Sequence, residues 1–591
     1  MSRRLSLLVA GVLIALAAPV ATAAAQTPFG HACTPHNGVR FCPTTTLDQR
    51  VPSFDGVPLD VDVTLPPAGE GPWPTLVVLH GYGGNKTNGE STSAGLGDTN
   101  VFWAQHGYAV VNPSARGFGR SCGQRDSRTT GCGRGYIRLA DTRYEARDVQ
   151  ELVGRLVDEG IADPDGLGVT GGSYGGGQSL ELAYLRDRIR LPDGSFAPWR
   201  SPAGTPLHIA AAHPIVPWSD LSDALVPNGR FRDRGRESYR TARSPFGVPL
   251  WSYIDILYAG GNLTGFVAPA GLDPEADLTN WRARTDEGEP VDAYAESILD
   301  EFFAHHQAWG LPGRPAPLLI RSGWTDDLFP VEHALRIYNA ERSRDQDAPV
   351  VLQFGDLGHS RGTNRPSERA AFNMQAAAFF GHWLKDTGSA PAPGSVTAYT
   401  QTCPTGGPGA PPFSARSWRQ LHPGKVRFGG GPAQTFTSDG GNPATATAFN
   451  PIGGTSDACK TVPAEVAPGT ATYTRAVTEP FTLLGLPTVR ARIRTTGAHG
   501  EIVSRLWDVL PDGTQRLVTR GIYRLRDDRR GHVTFQLLGN GYRFETGHTV
   551  KLELTGSDHP HWRRNDFPFS VRASGLSVEL PTAERLGGAE D

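Results

Sequence analysis

Beyond residue 25 the chain has no run long and apolar enough to cross a bilayer, no C-x-x-C spacing, no Cys/His cluster and no internal repeat. The first absence excludes membrane-spanning helices beyond the leader. The next two exclude the common structural zinc sites, so no metal is expected. Without a repeat, solenoids and propellers drop out. Charge is sparse as well: 57 Lys and Arg against 60 Asp and Glu leave a formal net charge of -3. So mild an acidity argues against a nucleic-acid partner.

What is present sets the size and compartment. A length of 591 residues exceeds one ordinary domain, so two or three are expected. The 72 glycines and 48 prolines point to many loops rather than a helical bundle. Residues 1–25 have the form of a secretory signal peptide. Arg3 and Arg4 precede an apolar run from Leu5 to Val20, and Ala23-Ala24-Ala25 offers a cleavage site before Gln26. A secreted protein free of the membrane after cleavage is expected. All six cysteines follow this leader, and an even count in an oxidising compartment implies disulfides. Fifteen pairings are open. Proximity favours Cys33 with Cys42 and Cys122 with Cys132, leaving Cys403 with Cys459.

The pattern divides the mature chain. From residue 26 to 219, strand-like runs alternate with helical spacing: Thr75 to His80, Tyr108 to Asn112, Tyr144 to Glu159, Leu167 to Thr170, Gly175 to Leu185. Such alternation implies a mostly parallel sheet covered on both faces. Residues 220–310 break the rhythm with many aromatics and irregular Pro/Gly spacing, as expected of a cap insertion. The alternation resumes over 311–390 with runs at Pro317 to Ser322 and Val350 to Phe354 and a helix from Arg369 to Leu384. A Gly/Pro-rich linker is expected over 391–415. Residues 416–591 change to period two, with runs at Thr488 to Ile493, Ile502 to Val509, Gln515 to Tyr523, His532 to Leu537 and Thr549 to Leu554. Turn signals such as Asn540-Gly541 separate them, and a jelly-roll β-sandwich without helices is expected.

Gly171-Gly172-Ser173-Tyr174-Gly175 matches G-x-S-x-G between a strand and a helix. A sharp strand-to-helix turn exposes the serine, and the helix N-terminus favours negative charge at its oxygen. A serine hydroxyl needs a base, and the base needs an orienting carboxylate. In this arrangement the chain order is serine, acid, histidine. Asp326 follows a late strand at the expected offset from Gly323, with Asp327 as its rival; His359 follows the next strand on a short loop. His80, His305, His306, His382, His559 and His561 stand in packing or surface contexts. The loop His80-Gly81-Tyr82-Gly83-Gly84 is expected to supply one oxyanion donor, paired with the backbone N–H of Tyr174.

Together these residues resemble the Xaa-Pro dipeptidyl-peptidase and cocaine-esterase family. The resemblance rests on the elbow at Ser173, His80 to Gly84, Arg116-Gly117-Phe118-Gly119-Arg120-Ser121, Gly323-Trp324-Thr325-Asp326 and Gly358-His359. In the second half it rests on Asp508 to Gly513 and Asp558 to Asn565. It implies an α/β-hydrolase fold with a helical cap and a C-terminal jelly roll. It also implies an oxyanion role for the Tyr82 hydroxyl. No cofactor is expected. The implied substrate is a small molecule or peptide: an Xaa-Pro N-terminus for a dipeptidyl-peptidase-like enzyme, or an ester for a carboxylesterase or acylase of the cocaine-esterase type. An inactive scaffold serving as a binding protein is the remaining alternative. Leu328 and Phe329 stand where α-amino-acid ester hydrolases of this group carry acids that hold a substrate ammonium. Asp220, Asp223 and Glu296 are the cap-region acids that an amine-bearing substrate would call on.

Overall fold

The computed structural model describes residues 26–90, 99–233, 245–527 and 529–586. The expected leader at 1–25 lies outside them. The first unit is an eleven-stranded sheet. In chain order its strands are β1 Thr34–His36, β2 Val39–Cys42, β3 Val61–Leu65, β4 Trp73–Leu79, β5 Ala109–Pro113, β6 Ala162–Gly172, β7 Ala211–Ile215, β8 Leu318–Gly323, β9 Val350–Gly355, β10 Val396–Ala398 and β11 Phe413–Ala415. Their order across the sheet is β1-β2-β3-β5-β4-β6-β7-β8-β9-β10-β11. Pairing is parallel from β5 through β10 and antiparallel at both edges.

Alternation along β4 shows why both faces are covered. Val77 and Leu79 join a core with Leu152, Leu156 and Leu180 of helices Glu145–Asp158 and Tyr174–Leu185. Leu76 and Val78 join another with Trp103, Phe379 and Phe380 of helices Asn100–Gln105 and Pro366–Lys385. The loops that carry Ser173, Asp326 and His359 then leave the same, C-terminal edge of β6, β8 and β9. In open parallel sheets this is where ligands bind.

Between β7 and β8 the described residues form helices Leu221–Leu225, Trp251–Thr264, Leu278–Glu287 and Ala293–His305, a helical cap. Its inward side chains, among them Trp281, Leu299 and Phe302, share a core with Tyr174, Trp218 and Phe329.

The stretch expected as a linker is in part structural: β10 and β11 both fall within it and complete the main sheet. The C-terminal unit is a β-sandwich of seven-stranded and five-stranded antiparallel sheets. It is not free of helix, since Trp418–Leu421 and Pro443–Ala448 are helical. Asn540-Gly541 is no turn but the start of strand Asn540–Phe544. The Asn540 amide donates to Gln401 at 3.0 Å, and Gly541 has no side chain because a Cβ would stand 2.8 Å from the Trp324 indole nitrogen. The central strand Phe569–Thr582 has no counterpart in the sequence reading. Its buried set runs Phe569, Val571, Ala573, then shifts phase to Leu576, Val578, Leu580. A register break against Thr488–Gly497 and a left-handed Gly575 (φ 55) produce that shift.

Disulfides join Cys33–Cys42, Cys122–Cys132 and Cys403–Cys459. The first closes the edge hairpin of β1 and β2; the last ties the segment between β10 and β11 to the sandwich.

Candidate active site

The turn after β6 places Ser173 at φ 59, ψ -114, a left-handed conformation that an L-residue adopts only under constraint. The constraint is local. The Ser173 N–H donates to the Ile215 carbonyl on β7 at 3.0 Å, and the helix beginning at Tyr174 fixes the other side. Gly175 lies so close to β4 that a Cβ would overlap the Leu79 carbonyl.

His359 Nε2 lies 2.7 Å from Ser173 Oγ, and its Nδ1 lies 2.6 Å from Asp326 Oδ2. The other oxygen of Asp326 accepts the backbone N–H groups of Leu328 at 3.0 Å and Phe329 at 2.8 Å. Phe329 meets the imidazole edge-on at 5.1 Å. Asp326 is buried, whereas the His359 side chain is 17% exposed, which leaves its imidazole open to water. Asp327 turns the other way, onto Arg361 at 2.6 and 2.9 Å. Burial pushes its carboxyl up, but Arg361 and Arg520 outweigh this and hold it at about 2. Ser173 and His359 are therefore joined to Asp326, while Asp327 is joined to Arg361.

The loop after β4 passes beside the elbow, with Gly81 against Ser173 and Gly172. His80 anchors this loop. The Ala115 N–H donates to its Nε2 at 2.9 Å, so the ring proton sits on Nδ1 and is donated to the Gly81 carbonyl at 2.7 Å. Burial pushes its pKa down to about 4, and the ring stays neutral. Tyr82 lines the same cleft as Ser173, its ring edge-on to Phe118 and Tyr174. Its hydroxyl abuts the cap at Gly261, where a Cβ would overlap it. Burial raises the Tyr82 pKa above the usual tyrosine range, so the hydroxyl keeps its proton. The Tyr174 hydroxyl faces away from this chemistry. It accepts the Ala140 N–H at 2.7 Å and donates to buried Glu145 at 2.7 Å. What Tyr174 offers the site is its backbone N–H at the start of the helix.

A cleft of about 1250 Å³, counting its solvent-open part, rises from Ser173 between sheet and cap. Sequence reasoning did not identify its walls. Leu139, Trp218, Phe246, Trp281, Phe302 and Phe329 dominate them. Asp220 and Asp223 do not line it: both face Arg336, and Asp220 also caps helix Leu221–Leu225. Glu296 is exposed on its helix and does not line it either. Among the described residues, the carboxylate on the lining is Glu289, held by Arg524 at 2.7 Å and Arg563 at 3.1 Å. Asp141, Glu301 and His306 converge elsewhere, but the Arg143 guanidinium sits on both carboxylates.

Residues 55–188 match the family model described as X-Pro dipeptidyl-peptidase (S15 family). Residues 430–568 match that of the X-Pro dipeptidyl-peptidase C-terminal non-catalytic domain. The cocaine esterase of Rhodococcus sp. (strain MB1 Bresler) is 24% identical over 615 residues, covering 90% of this chain and 94% of the relative. A CocE/NonD family hydrolase from Staphylococcus aureus superposes with a TM-score of 0.59 at 14% identity, covering 92% of this chain and 94% of that one. An aminopeptidase from a marine sediment Thaumarchaeota archaeon gives 0.57 at 14% identity, covering 93% and 98%. At such identities the structural likeness establishes the fold.

Proposed function

Because the chain belongs to the Xaa-Pro dipeptidyl-peptidase and cocaine-esterase family and is a serine hydrolase, we propose that it cleaves acyl bonds through an acyl-enzyme on Ser173. The observation that carries this reading is the hydrogen-bonded line from Ser173 through His359 to Asp326 at the base of the cleft. Ser173 Oγ attacks the carbonyl carbon as His359 Nε2 takes its proton. Asp326 holds the Nδ1–H tautomer and stabilises the imidazolium. The Tyr82 hydroxyl and the Tyr174 N–H receive the oxyanion. His359 then protonates the leaving group, and water releases the acid by the same steps.

The cleft favours an uncharged apolar acyl group over a free amino terminus. Dipeptide release calls for a carboxylate to hold the terminal ammonium, and a buried ammonium without one is costly. Among the described residues Glu289 is the carboxylate at hand, and both its oxygens face arginines. An ester reading of the cocaine-esterase type therefore ranks above the dipeptidyl-peptidase reading. The test compares an aromatic or medium-chain nitrophenyl ester with an Ala-Pro anilide, on the parent and on Tyr82→Phe. The ester should win by about 10²-fold or more in kcat/KM, the scale set by one unpaired buried charge. Tyr82→Phe should lower ester kcat about 10²–10³-fold with KM little changed, as for a donor used only in the transition state. Preferential turnover of the anilide would reverse the ranking. An unimpaired Tyr82→Phe would move the donor to a backbone N–H of the loop.

We also propose that the enzyme is exported, from the leader sequence and the three disulfides. Protein recovered from the medium should have an intact mass beginning at Gln26 and no alkylatable thiol. A retained leader or free cysteines in the active protein would refute export.

A further inference from the structure

The acid loop and the histidine loop are joined twice, by consecutive residues. Asp326 meets His359, and Asp327 meets Arg361 two residues further on. Thr325 adds a hydroxyl contact to the Leu357 and Arg361 carbonyls at 3.1 Å each. The second of these joints does not end in the hydrolase unit. Arg520, on sandwich strand Thr514–Arg524, brings its Nε to 3.5 Å from Asp327 Oδ1 and its Nη1 to 3.0 Å from Asp558 Oδ2. Asp558 also takes the Arg505 guanidinium, whose Nη1 meets Glu553 at 2.9 Å. The line Arg361–Asp327–Arg520–Asp558–Arg505–Glu553 alternates in sign, and every member is buried. His561 beside it contributes no charge, since burial and Arg520 push its pKa down to about 3.

We propose that the C-terminal β-sandwich is a positioning element of the active site: Arg520 and Asp558 fix the Asp327–Arg361 pair, and through it the two loops that hold Asp326 against His359. The inference rests on the triad reading above. Its physical basis is that a buried ion is tolerated only when paired, so each member of the line dictates where the next must stand. Loops carrying a catalytic acid and base need such support, because a misplacement of about 1 Å can cost about 10²-fold in rate. A line that merely glued two domains together would have no reason to run through the residue next to the triad acid and the one two positions from the base.

The experiment is a double-mutant cycle on the full-length enzyme. Arg520→Met should lower ester kcat about 10–100-fold with KM within about twofold, because the residue touches loops and not the cleft. In an Asp326→Asn background the same change should cost less than about threefold more, read as the rate of fluorophosphonate labelling, since residues that act as a unit do not add. Near-ultraviolet circular dichroism reports whether each variant is folded. If Arg520→Met does not fold, the charge-balanced pair Arg520→Met with Asp558→Asn is measured instead, which leaves Arg361–Asp327 and Arg505–Glu553 matched. Unchanged kcat in a folded variant, an equal loss in both backgrounds, or a rise in KM alone would overturn the inference. So would failure of both variants to fold, which would make the line a structural adhesive. None of these outcomes touches the nucleophile, whose assignment falls separately if Ser173→Ala still labels.

Discussion

Replacing Ser173 with alanine is expected to abolish fluorophosphonate labelling and to lower kcat about 10⁴–10⁶-fold, with the melting temperature unchanged. The size follows from what remains. Without Oγ there is no atom to form the acyl-enzyme, and His359 Nε2 loses the partner it holds at 2.7 Å. The cleft, the Tyr82 hydroxyl and the Tyr174 N–H persist, so a residual rate above water is expected rather than zero. Stability should not move, because alanine meets the same left-handed φ of 59° that serine already tolerates, and neither side chain relieves it. The Ser173 N–H keeps its bond to the Ile215 carbonyl, so the elbow keeps its shape. Persistent labelling of the alanine variant would place the nucleophile elsewhere and dissolve the triad with it.

The parts of this site that were legible in the sequence are those encoded locally. An elbow needs a strand, a serine between glycines and a helix in immediate succession, and 167–185 spells out all three. Asp326 and His359 stand at the ends of apolar runs, so the strands themselves advertise them. The choice between Asp326 and Asp327 is different in kind. Chemistry does not separate neighbouring aspartates; only the offset from Gly323 favoured Asp326 in the sequence, and in the structure Arg361 takes Asp327. Long-range pairings were illegible. Nothing near Asp223 announces Arg336, which lies 113 residues along the chain on helix Glu332–Arg344. The cap could be inferred from its aromatics, but which of them face Ser173 is decided by how the helices pack. Asn540-Gly541 carries a strong local turn signal, yet the site selected glycine for close approach to Trp324 and asparagine for its bond to Gln401. Strand Phe569–Thr582 escaped because a bulge splits its alternation into two phases, and a period-two pattern is recognisable only while its phase holds.

The neighbouring aspartates should part company when each is turned into an asparagine. Asp326→Asn is expected to lower kcat about 10⁴-fold and leave the melting temperature nearly unchanged. The backbone dictates this outcome. Two N–H groups, of Leu328 and Phe329, donate to Asp326 Oδ1, so an amide introduced there must turn its oxygen toward them. Its NH₂ then points at His359 Nδ1, which must become an acceptor. The ring proton moves to Nε2, the atom that has to take the proton of Ser173. Tertiary contacts survive; the tautomer does not. Asp327→Asn should show the opposite balance. The amide leaves Arg361 and Arg520 buried beside a neutral partner, and breaking a buried pair costs about 3–5 kcal/mol. A clear fall in melting temperature is expected. The loss in kcat should be smaller, about 10–100-fold, because the tautomer is preserved while the loops loosen. Measured side by side, kcat and melting temperature sort the two residues. A larger catalytic loss at Asp327 than at Asp326 would mean that the acid orienting His359 in the working enzyme is not the one whose oxygen lies 2.6 Å from its Nδ1.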